Sequence, residues 1–300
     1  MSLQAIVAAL GGDLYQNGRR ANVPAPGHSA DDRSVSLLLA DGRVVIHGFG
    51  AADWRAVRDH LRRLGFVDIH GRLTGVGLSG PSAPKPDRSI RIAAALKLWD
   101  GGRPLAAGDP ASRHLRRRRV VDGDVALALR FNPRAPISVY RDDHRTRPAL
   151  VARISDTDDR LTAVEITYLE RNGLAATGLQ LPRKTVGVVP PGAAVRLSLV
   201  APEMLVGEGV VTVLSAMRRF RLPGWSLLSA SNLSAWTPPA GVRSVLVAAD
   251  RGQAGEAAAV RLLRRLRALG LEARIQWPDP PFGDWNEAAQ PAGERQEQGG

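Results

Sequence analysis

The chain of 300 residues contains no cysteine, which excludes disulfide bonds and thiolate metal sites. It also lacks any apolar run long enough to span a membrane. Its first residues, MSLQAIVAALGGDLY, are too short and lack the basic leader of a signal peptide. These absences predict a soluble, cytoplasmic protein.

Lysine is scarce although the chain is strongly basic. Lysine and arginine together number 41, the lysines being Lys85, Lys97 and Lys184, and the formal net charge is +12. Because the arginine fork matches the geometry of phosphate, this composition favours a polyanionic partner. The alternative is that abundant arginine and alanine reflect GC-rich coding. No G-x-x-x-x-G-K-[ST] loop occurs, so the chain does not encode a P-loop helicase or ATPase.

The clearest structural pattern lies between Arg243 and Leu271. Val245–Ala248 form a short apolar run, which is typical of a strand covered on both faces. Asp250 stands where this run stops, and leucines at helical spacing follow two glycines. An acid at the carboxyl end of a buried strand lies where open α/β sheets bind ligands. Alternatively, Asp250 only caps the following helix.

Further acidic residues occupy similar positions. Met204–Met217 reads as a strand, a turn and the start of a helix, with Glu208 between two glycines. Arg274–Glu287 reads as a strand and a proline-rich turn, followed by Asp284. Carboxylates at neighbouring strand ends can converge on one divalent cation, because hard cations prefer oxygen ligands.

The order of these motifs resembles the Toprim domain of DnaG-type primases and of the primase-like proteins of phages and plasmids. The resemblance covers about residues 201–289 and rests on Gly-Glu-Gly after a strand, LLSASNLSAW, VAADRGQAGEAAA and GDWNEAA. It implies a C-terminal α/β domain with a mainly parallel sheet.

The resemblance also implies roles for the acidic residues. Glu208 would act in acid–base chemistry and help to organise a metal, and Asp250 would hold Mg²⁺ or Mn²⁺. Asp284 would be an auxiliary acid of the same site. The chain departs from the pattern at Gly252, where a second Asp is expected, and at Val211, where many relatives carry an acid.

The first 70 residues have a pattern of their own. Asp41-Gly42 is a hairpin turn signal between two predicted strands. The predicted elements are a helix over Ser2–Leu10, strands over Ser34–Leu39 and Arg43–His47, and a helix over Trp54–Leu64.

This segment resembles the zinc-binding domain at the front of the same primases. Pro26–His28 and Ser34–Leu37 hold the corresponding places, but glycines replace the second cysteine pair. A structural zinc site needs four ligands. We therefore predict a degenerate zinc-ribbon-like domain over residues 1–70, without zinc, whose packed core includes Phe49 and Trp54.

Residues 71–89 read as a linker, and residues 90–200 as an α+β, primase-like middle domain. Its predicted elements are a helix over Ile90–Trp99, a helix capped by Asp109, and strands over Val125–Arg130, Ala149–Ile154 and Leu161–Leu169. A Toprim domain over residues 201–289 and a disordered tail over residues 290–300 complete the predicted organisation.

Basic residues in the middle domain are candidates for contacts with nucleic acid or phosphate. A run of arginines is predicted to form a broad basic end on a helix, and it consists of Arg116, Arg117, Arg118 and Arg119. Arg183 and Lys184 precede a predicted short strand, and we expect Lys184 to contact a nucleotide phosphate or the template backbone. The alternatives are a solvated arginine run and a surface lysine.

These features predict a primase-like Toprim protein of mobile-element type, with Mg²⁺-dependent nucleotidyl transfer on a single-stranded DNA template. Its partners would be single-stranded DNA and nucleoside triphosphates, with a separate replicative helicase as a further partner. Because of Gly252, a catalytically degenerate binding module stays open as an alternative. A metal-dependent Toprim nuclease is the third hypothesis, since it would use the same acids.

Overall fold

The structure is a computed structural model that describes residues 2–16, 18–28, 32–48, 53–74, 86–120, 128–140, 144–179 and 181–290. Contacts divide the chain into two compact units, Met1–Lys85 and Pro86–Gly300. Across the described ranges, every helix is too short or too polar to cross a membrane. Phe49, the first residues of the predicted strand Val125–Arg130, and the predicted tail from residue 291 onward lie outside the described residues.

The N-terminal unit is an antiparallel sheet with helices. Its elements are α1 (Leu3–Leu10), β1 (Asp13–Tyr15), β2 (Arg20–Val23), β3 (Val35–Ala40), β4 (Arg43–Gly48) and α2 (Trp54–Arg63). The strand order is β1-β2-β3-β4, with antiparallel pairs throughout. The predicted hairpin forms: Asp41 and Gly42 both have positive φ, 50° and 75°, as a type I′ turn requires.

Aliphatic side chains form the core of this unit, with Leu3, Ile6, Leu37 and Leu61 fully buried. The prediction that Trp54 contributes to this core is wrong, because Trp54 is 42% exposed. It is the first residue of α2, and the guanidinium groups of its helix neighbours Arg55 and Arg58 lie 5.0 and 5.3 Å from its ring. These cation–π contacts retain the ring at the surface while the aliphatic core closes without it.

The first half of the C-terminal unit is α+β. Its elements are α3 (Arg88–Asp100), α4 (Pro110–Arg117), β5 (Leu129–Pro136), β6 (Thr146–Ser155), β7 (Leu161–Tyr168) and β8 (Arg183–Gly187). The strands form an antiparallel sheet in the order β5-β6-β7-β8. The predicted cap of α4 is present, since the Asp109 carboxylate accepts a hydrogen bond of 2.6 Å from the Ser112 N–H.

Both faces of this sheet are buried. Since side chains alternate along a strand, neighbouring residues of β6 pack into two different cores. On one face, Val151 packs with Leu98 and Trp99 of α3. On the other face, Leu150 and Ala152 pack against the following part of the same unit.

The second half of the C-terminal unit contains a mainly parallel sheet. Its elements are β9 (Val195–Arg196), β10 (Glu203–Gly207), α5 (Val210–Phe220), β11 (Gly224–Ser226), α6 (Ala230–Ala235), β12 (Ser244–Ala248), α7 (Gln253–Ala268), β13 (Glu272–Gln276) and α8 (Trp285–Ala288). The strand order is β13-β12-β10-β11-β9, and every pair except β11–β9 is parallel. The predicted fold class, α+β regions followed by an α/β domain with a mainly parallel sheet, is confirmed.

Apolar side chains cover this sheet on both sides. Leu205 and Leu246 belong to the core shared with α5 and the four-residue α8, whereas Val206 and Val247 pack on the side of α6 and α7. Polar groups can therefore gather only at the edges where strands end, and β10 and β12 both end at the same edge because they are parallel neighbours.

The prediction for the arginine run is wrong in part. Arg116 and Arg117 lie in α4, but Arg118 is its C-terminal cap and Arg119 has a φ of 55°. The helix ends here because the Val120 N–H bonds back to the Leu115 carbonyl, which replaces the helical pattern. The run therefore extends from the last turn of the helix into the turn that follows it, and only its first two arginines are helical.

Two strand predictions are also corrected. The first strand of the middle sheet is Leu129–Pro136, so it extends well past the predicted end at Arg130. Arg183 and Lys184 do not precede a strand, because they are the first residues of β8. Their backbone pairs with Thr167 and Ile166 of β7.

Asn232 provides a test of the packing around the parallel sheet. Its side chain is buried and donates to the carbonyls of Ala193 (2.6 Å) and Leu227 (2.9 Å), while it accepts from the Gly192 N–H (2.8 Å). We predict that Asn232→Ala lowers the free energy of unfolding by about 2–3 kcal/mol, because buried backbone groups lose their partners. Chemical denaturation would measure this change in the free energy of unfolding. Ser234→Ala is the control, since it removes one exposed hydrogen bond; equal effects of the two substitutions would contradict the prediction.

Candidate functional site

Asp250 lies at the carboxyl edge of the parallel sheet, two residues after β12. Among the described residues, its buried Oδ1 finds no hydrogen-bond partner. Burial, as the largest cause, and the negative charges of Asp284, Glu208 and Glu287 together raise the pKa of this carboxyl from 3.8 to about 7. Asp250 therefore sits where either a proton or a cation would stabilise it.

Glu208 follows β10, the parallel neighbour of β12. Its backbone carbonyl accepts from the Leu228 N–H (2.9 Å) and from the Ser226 hydroxyl, which fixes the turn after the strand. Burial raises the pKa of its carboxyl, and a hydrogen bond from the Ala230 N–H opposes this rise. Glu208 is thus a second acid that holds its proton more tightly than an exposed glutamate.

Glycines allow these two acids to approach each other. A Cβ on Gly255, in the first turn of α7, would lie 3.0 Å from the Asp250 carbonyl oxygen and 3.2 Å from Glu208 Oε1. A Cβ on Gly207 would lie 2.8 Å from the Ala248 carbonyl oxygen. Side chains at either position would push the strand ends and the helix apart, so the close approach depends on glycine.

Asp284 is the N-terminal cap of the four-residue helix α8. Its Oδ1 accepts from the N–H groups of Asn286 (2.7 Å) and Glu287 (2.8 Å), and its charge raises the pKa of Asp250. Glu287, which the sequence interpretation did not select, contributes to the same negative field. It lies in the quoted motif GDWNEAA, three residues after Asp284, and one helical turn brings residues at this spacing to the same side.

The negative charges of these acids act on one another, but their side chains do not form a complete set of metal ligands in the described residues. In the part of the chain that the structure describes, no three His, Asp or Glu side chains lie close enough together to hold a metal ion. One reason is that Asp284 uses Oδ1 to cap α8. The unpartnered oxygen of Asp250 and the surrounding negative charge nevertheless suit a divalent cation, which would neutralise both.

Gly252 has a backbone conformation that fits glycine. Its φ is 116° and its ψ is 149°, a region that L-residues rarely adopt. A Cβ placed there would meet no described atom within 4 Å, so the backbone angle, and not lack of space, disfavours an aspartate. The turn before α7 therefore has a backbone conformation that favours glycine over the aspartate of the Toprim pattern at this position.

Predicted basic residues meet Asp284 at a cavity of about 270 Å³. Arg118 and Arg183 line it together with Glu165, Asp284 and the first turn of α5. Arg183 Nε lies 3.4 Å from the carboxylate of Glu165, whose pKa is raised by burial and lowered in part by that arginine. The cavity thus carries both signs of charge.

Arg118 is held in place from two directions by one asparagine. Its guanidinium donates to Asn286 Oδ1 (3.3 Å), and its carbonyl accepts from Asn286 Nδ2 (2.7 Å). Because the backbone N–H of Asn286 also donates to the Asp284 carboxylate, the basic and acidic groups are fixed through the start of α8.

The other predicted phosphate-binding residues do not line this cavity. Lys184 Nζ donates to the Ile137 carbonyl (2.6 Å), lies 5.1 Å from the Tyr168 ring, and has a pKa lowered by burial. Arg117 donates to the Asn172 carbonyl (3.3 Å). Arg116 and Arg119 have exposed side chains.

Comparisons with known proteins identify families that match two parts of the chain. Residues 203–295 match the Toprim domain family, and residues 89–197 match a family described as a domain of unknown function, DUF7146. The chain therefore carries a Toprim domain at its C-terminal end. No curated protein matches the sequence.

Several solved structures are similar to this chain at low identity. The Aquifex aeolicus primase, with its zinc-binding and RNA polymerase domains, is 14% identical over 95% of this chain and 78% of that chain, with a TM-score of 0.47. The primase fragment of the bacteriophage T7 primase-helicase protein is 15% identical over 89% of this chain and 93% of that chain, with a TM-score of 0.39. A DNA primase domain from Pseudomonas aeruginosa is 18% identical over 67% and 73%, with a TM-score of 0.43.

The raised pKa of Asp250 predicts a pH-dependent effect of Asp250→Asn in metal-free buffer. Because the folded-state pKa is about 7 and the ordinary value is 3.8, the folded state binds the extra proton between these values. The wild type therefore loses stability as pH rises through this window. We expect Asp250→Asn to be more stable than the wild type near pH 8, by up to about 4 kcal/mol, and no more stable near pH 4.

Thermal unfolding at the two pH values, with chelator present, measures the difference. Asp279→Asn is the control because Asp279 is exposed on the neighbouring loop. A stabilisation by Asp250→Asn that is the same at both pH values would show that charge burial is not its cause.

Proposed function

We propose that this chain is a primase-like Toprim protein that acts on nucleic acid in DNA replication, by divalent-metal-dependent nucleotidyl transfer on a single-stranded DNA template. The observation that carries the proposal is the buried, unpartnered oxygen of Asp250 beside Glu208, at the carboxyl edge of a Toprim sheet. Such an edge is where parallel α/β sheets bind their ligands.

The acidic residues would hold the metal. Asp250 and Glu208 are the principal ligands in this proposal, with Asp284 as the auxiliary acid. Bound Mg²⁺ or Mn²⁺ would neutralise charge on the phosphates of a nucleoside triphosphate. Glu208 would be the acid–base group, because burial raises its pKa above that of an exposed glutamate and it therefore holds a proton more tightly.

Positive groups next to the acids would position the phosphates. Arg118 and Arg183 line the same cavity as Asp284, and the first turn of α5 adds backbone N–H groups at its positive end. The net charge of +12 supports electrostatic attraction of a template strand. A replicative helicase would be a further partner in this proposal.

A second candidate is a nucleic-acid-binding module without chemistry. The glycine-specific backbone at Gly252 and the incomplete gathering of carboxylates in the described structure both favour it. In that case the basic residues would still bind DNA in a salt-sensitive manner. The two candidates differ in whether a divalent metal binds.

We predict primer synthesis on single-stranded DNA by the wild type with Mg²⁺ or Mn²⁺, measured by incorporation of labelled nucleotides. Glu208→Ala and Asp250→Ala should each reduce it by at least about 100-fold, because each removes a proton-transfer or metal-binding group. Glu203→Gln is the matched control, since Glu203 is exposed at the other end of β10 and pairs with Arg274.

The outcomes separate the candidates. Equal background signal from the wild type and from Glu208→Ala would refute the enzymatic proposal. Salt-sensitive DNA binding without affinity for Mn²⁺ would then support the binding module. Metal-dependent degradation of a labelled strand, instead of extension, would point to a nuclease.

A further inference from the structure

Aromatic rings are concentrated at one cavity of the C-terminal unit. The cavity has a volume of about 260 Å³, and its walls include the rings of Phe220, Trp277, Phe282 and Trp285. Phe220 and Trp285 meet edge to face, with ring centroids 4.9 Å apart and an interplanar angle of 77°. Since only 5% of all residues are aromatic, this grouping is far denser than the composition alone would produce.

One loop and its hydrogen bonds connect the cavity to the acidic residues. Trp285 directly follows Asp284, and the loop before that acid contributes Trp277, Asp279 and Phe282 to the cavity wall. Arg251, the residue after Asp250, donates its backbone N–H to the Gly283 carbonyl and its guanidinium Nε to the Pro278 carbonyl, both at 2.7 Å. The same loop therefore borders the aromatic cavity and is bonded to the segment that carries Asp250.

Polar groups complete the lining. Arg219 offers donors, with its guanidinium 5.9 Å from the Phe220 ring, and Asp279 offers an acceptor. A ligand that suits this lining has a flat π surface and an edge with both donors and acceptors. Nucleobases have this chemistry, and proteins commonly bind unpaired bases between aromatic rings. The volume lies below the range of drug-sized sites, which also suits a single base.

We propose that this cavity receives one unpaired nucleobase next to the acidic site. The proposal rests on the proposed function, because a base bound here would belong to the strand or nucleotide whose phosphates lie near Asp250 and Asp284. The base could come from a template or primer strand, or from a free nucleotide, and the chemistry of recognition is shared.

Binding of a short oligothymidylate, monitored by tryptophan fluorescence, tests the proposal with the full-length protein. An abasic oligonucleotide of equal length keeps the phosphates and removes the bases, so it is the matched ligand control. Free TTP provides the third arm. Photocross-linking of an oligonucleotide that carries a photoreactive thymine analogue would identify the contacted peptide.

The protein variants are Phe282→Leu and Trp277→Leu, which remove rings that are only partly buried. Phe66→Leu makes the same type of change in the N-terminal unit and is the control. We expect the wild type to prefer the oligothymidylate over the abasic strand by at least about fivefold. Phe282→Leu and Trp277→Leu should abolish that preference while binding of the abasic strand stays unchanged, and cross-links should map to residues 277–285.

Quenching by TTP together with competition against the oligothymidylate would show that the cavity also accepts the base of a free nucleotide, whereas a response to the oligonucleotide only would restrict it to a strand. Either result supports the proposal. Equal affinity of the wild type for the two strands, or a preference that survives both substitutions, would overturn it. The wild-type comparison needs no variant, so a misfolded variant cannot mask the outcome.

The test also separates this inference from the proposed function. If no primers form but base-dependent binding maps to the cavity, the catalytic proposal fails and the base site stands. If primers form and the wild type shows no preference for bases over abasic sites, the base site fails and the catalytic proposal stands.

Discussion

The burial of a carboxylate at the end of a parallel strand is the constraint on which the site depends. Asp250 cannot be well solvated there, because apolar layers cover β12 on both faces and the first turn of α7 closes over it. Its neighbours add negative charge instead of compensating for it. A fold retains such an arrangement at a stability cost, and functional sites are where costs of this kind are commonly found.

The basic residues of the middle region and the acids of the Toprim domain belong to one packed unit. Leu150 and Ala152 of β6 share a core with Val210 and Val213 of α5, so the antiparallel sheet packs directly against the helix that follows Glu208. The bonds between Arg118 and Asn286 add a polar link. The walls of the cavity between these elements are therefore packed and bonded to one another, which in the proposed function would hold phosphates at a fixed position relative to the acids.

Local sequence signals predicted the parts of the fold where one short segment contains all the information. The Asp41-Gly42 hairpin and the strand, glycine turn and helix around Asp250 were recognisable for this reason. The positions of Glu208, Asp250 and Asp284 after strands that are neighbours in the sheet were also predictable, because parallel strands end at a common edge. The orientation of their side chains could not be predicted, since the capping bonds of Asp284 depend on where α8 begins.

The sequence did not predict the features that depend on tertiary packing. The end of α4 at Arg117 cannot be read from residue type, because an arginine run continues a helix as readily as it ends one. The exposure of Trp54 also depends on how the aliphatic core closes. The aromatic cavity brings Phe220 together with Trp277 and Phe282, and Phe220 lies more than fifty residues before both of them in the sequence. Only the fold brings these rings together.

Binding of Mn²⁺ tests the central claim most directly, because it needs neither a template nor turnover. Electron paramagnetic resonance would follow free Mn²⁺ during titration of the wild type and of Asp250→Asn at a pH slightly above neutral. We predict that the wild type binds Mn²⁺, that Mg²⁺ displaces it, that binding weakens as pH falls below about 7, and that Asp250→Asn does not bind. Equal binding by both proteins, or none by the wild type, would contradict the account.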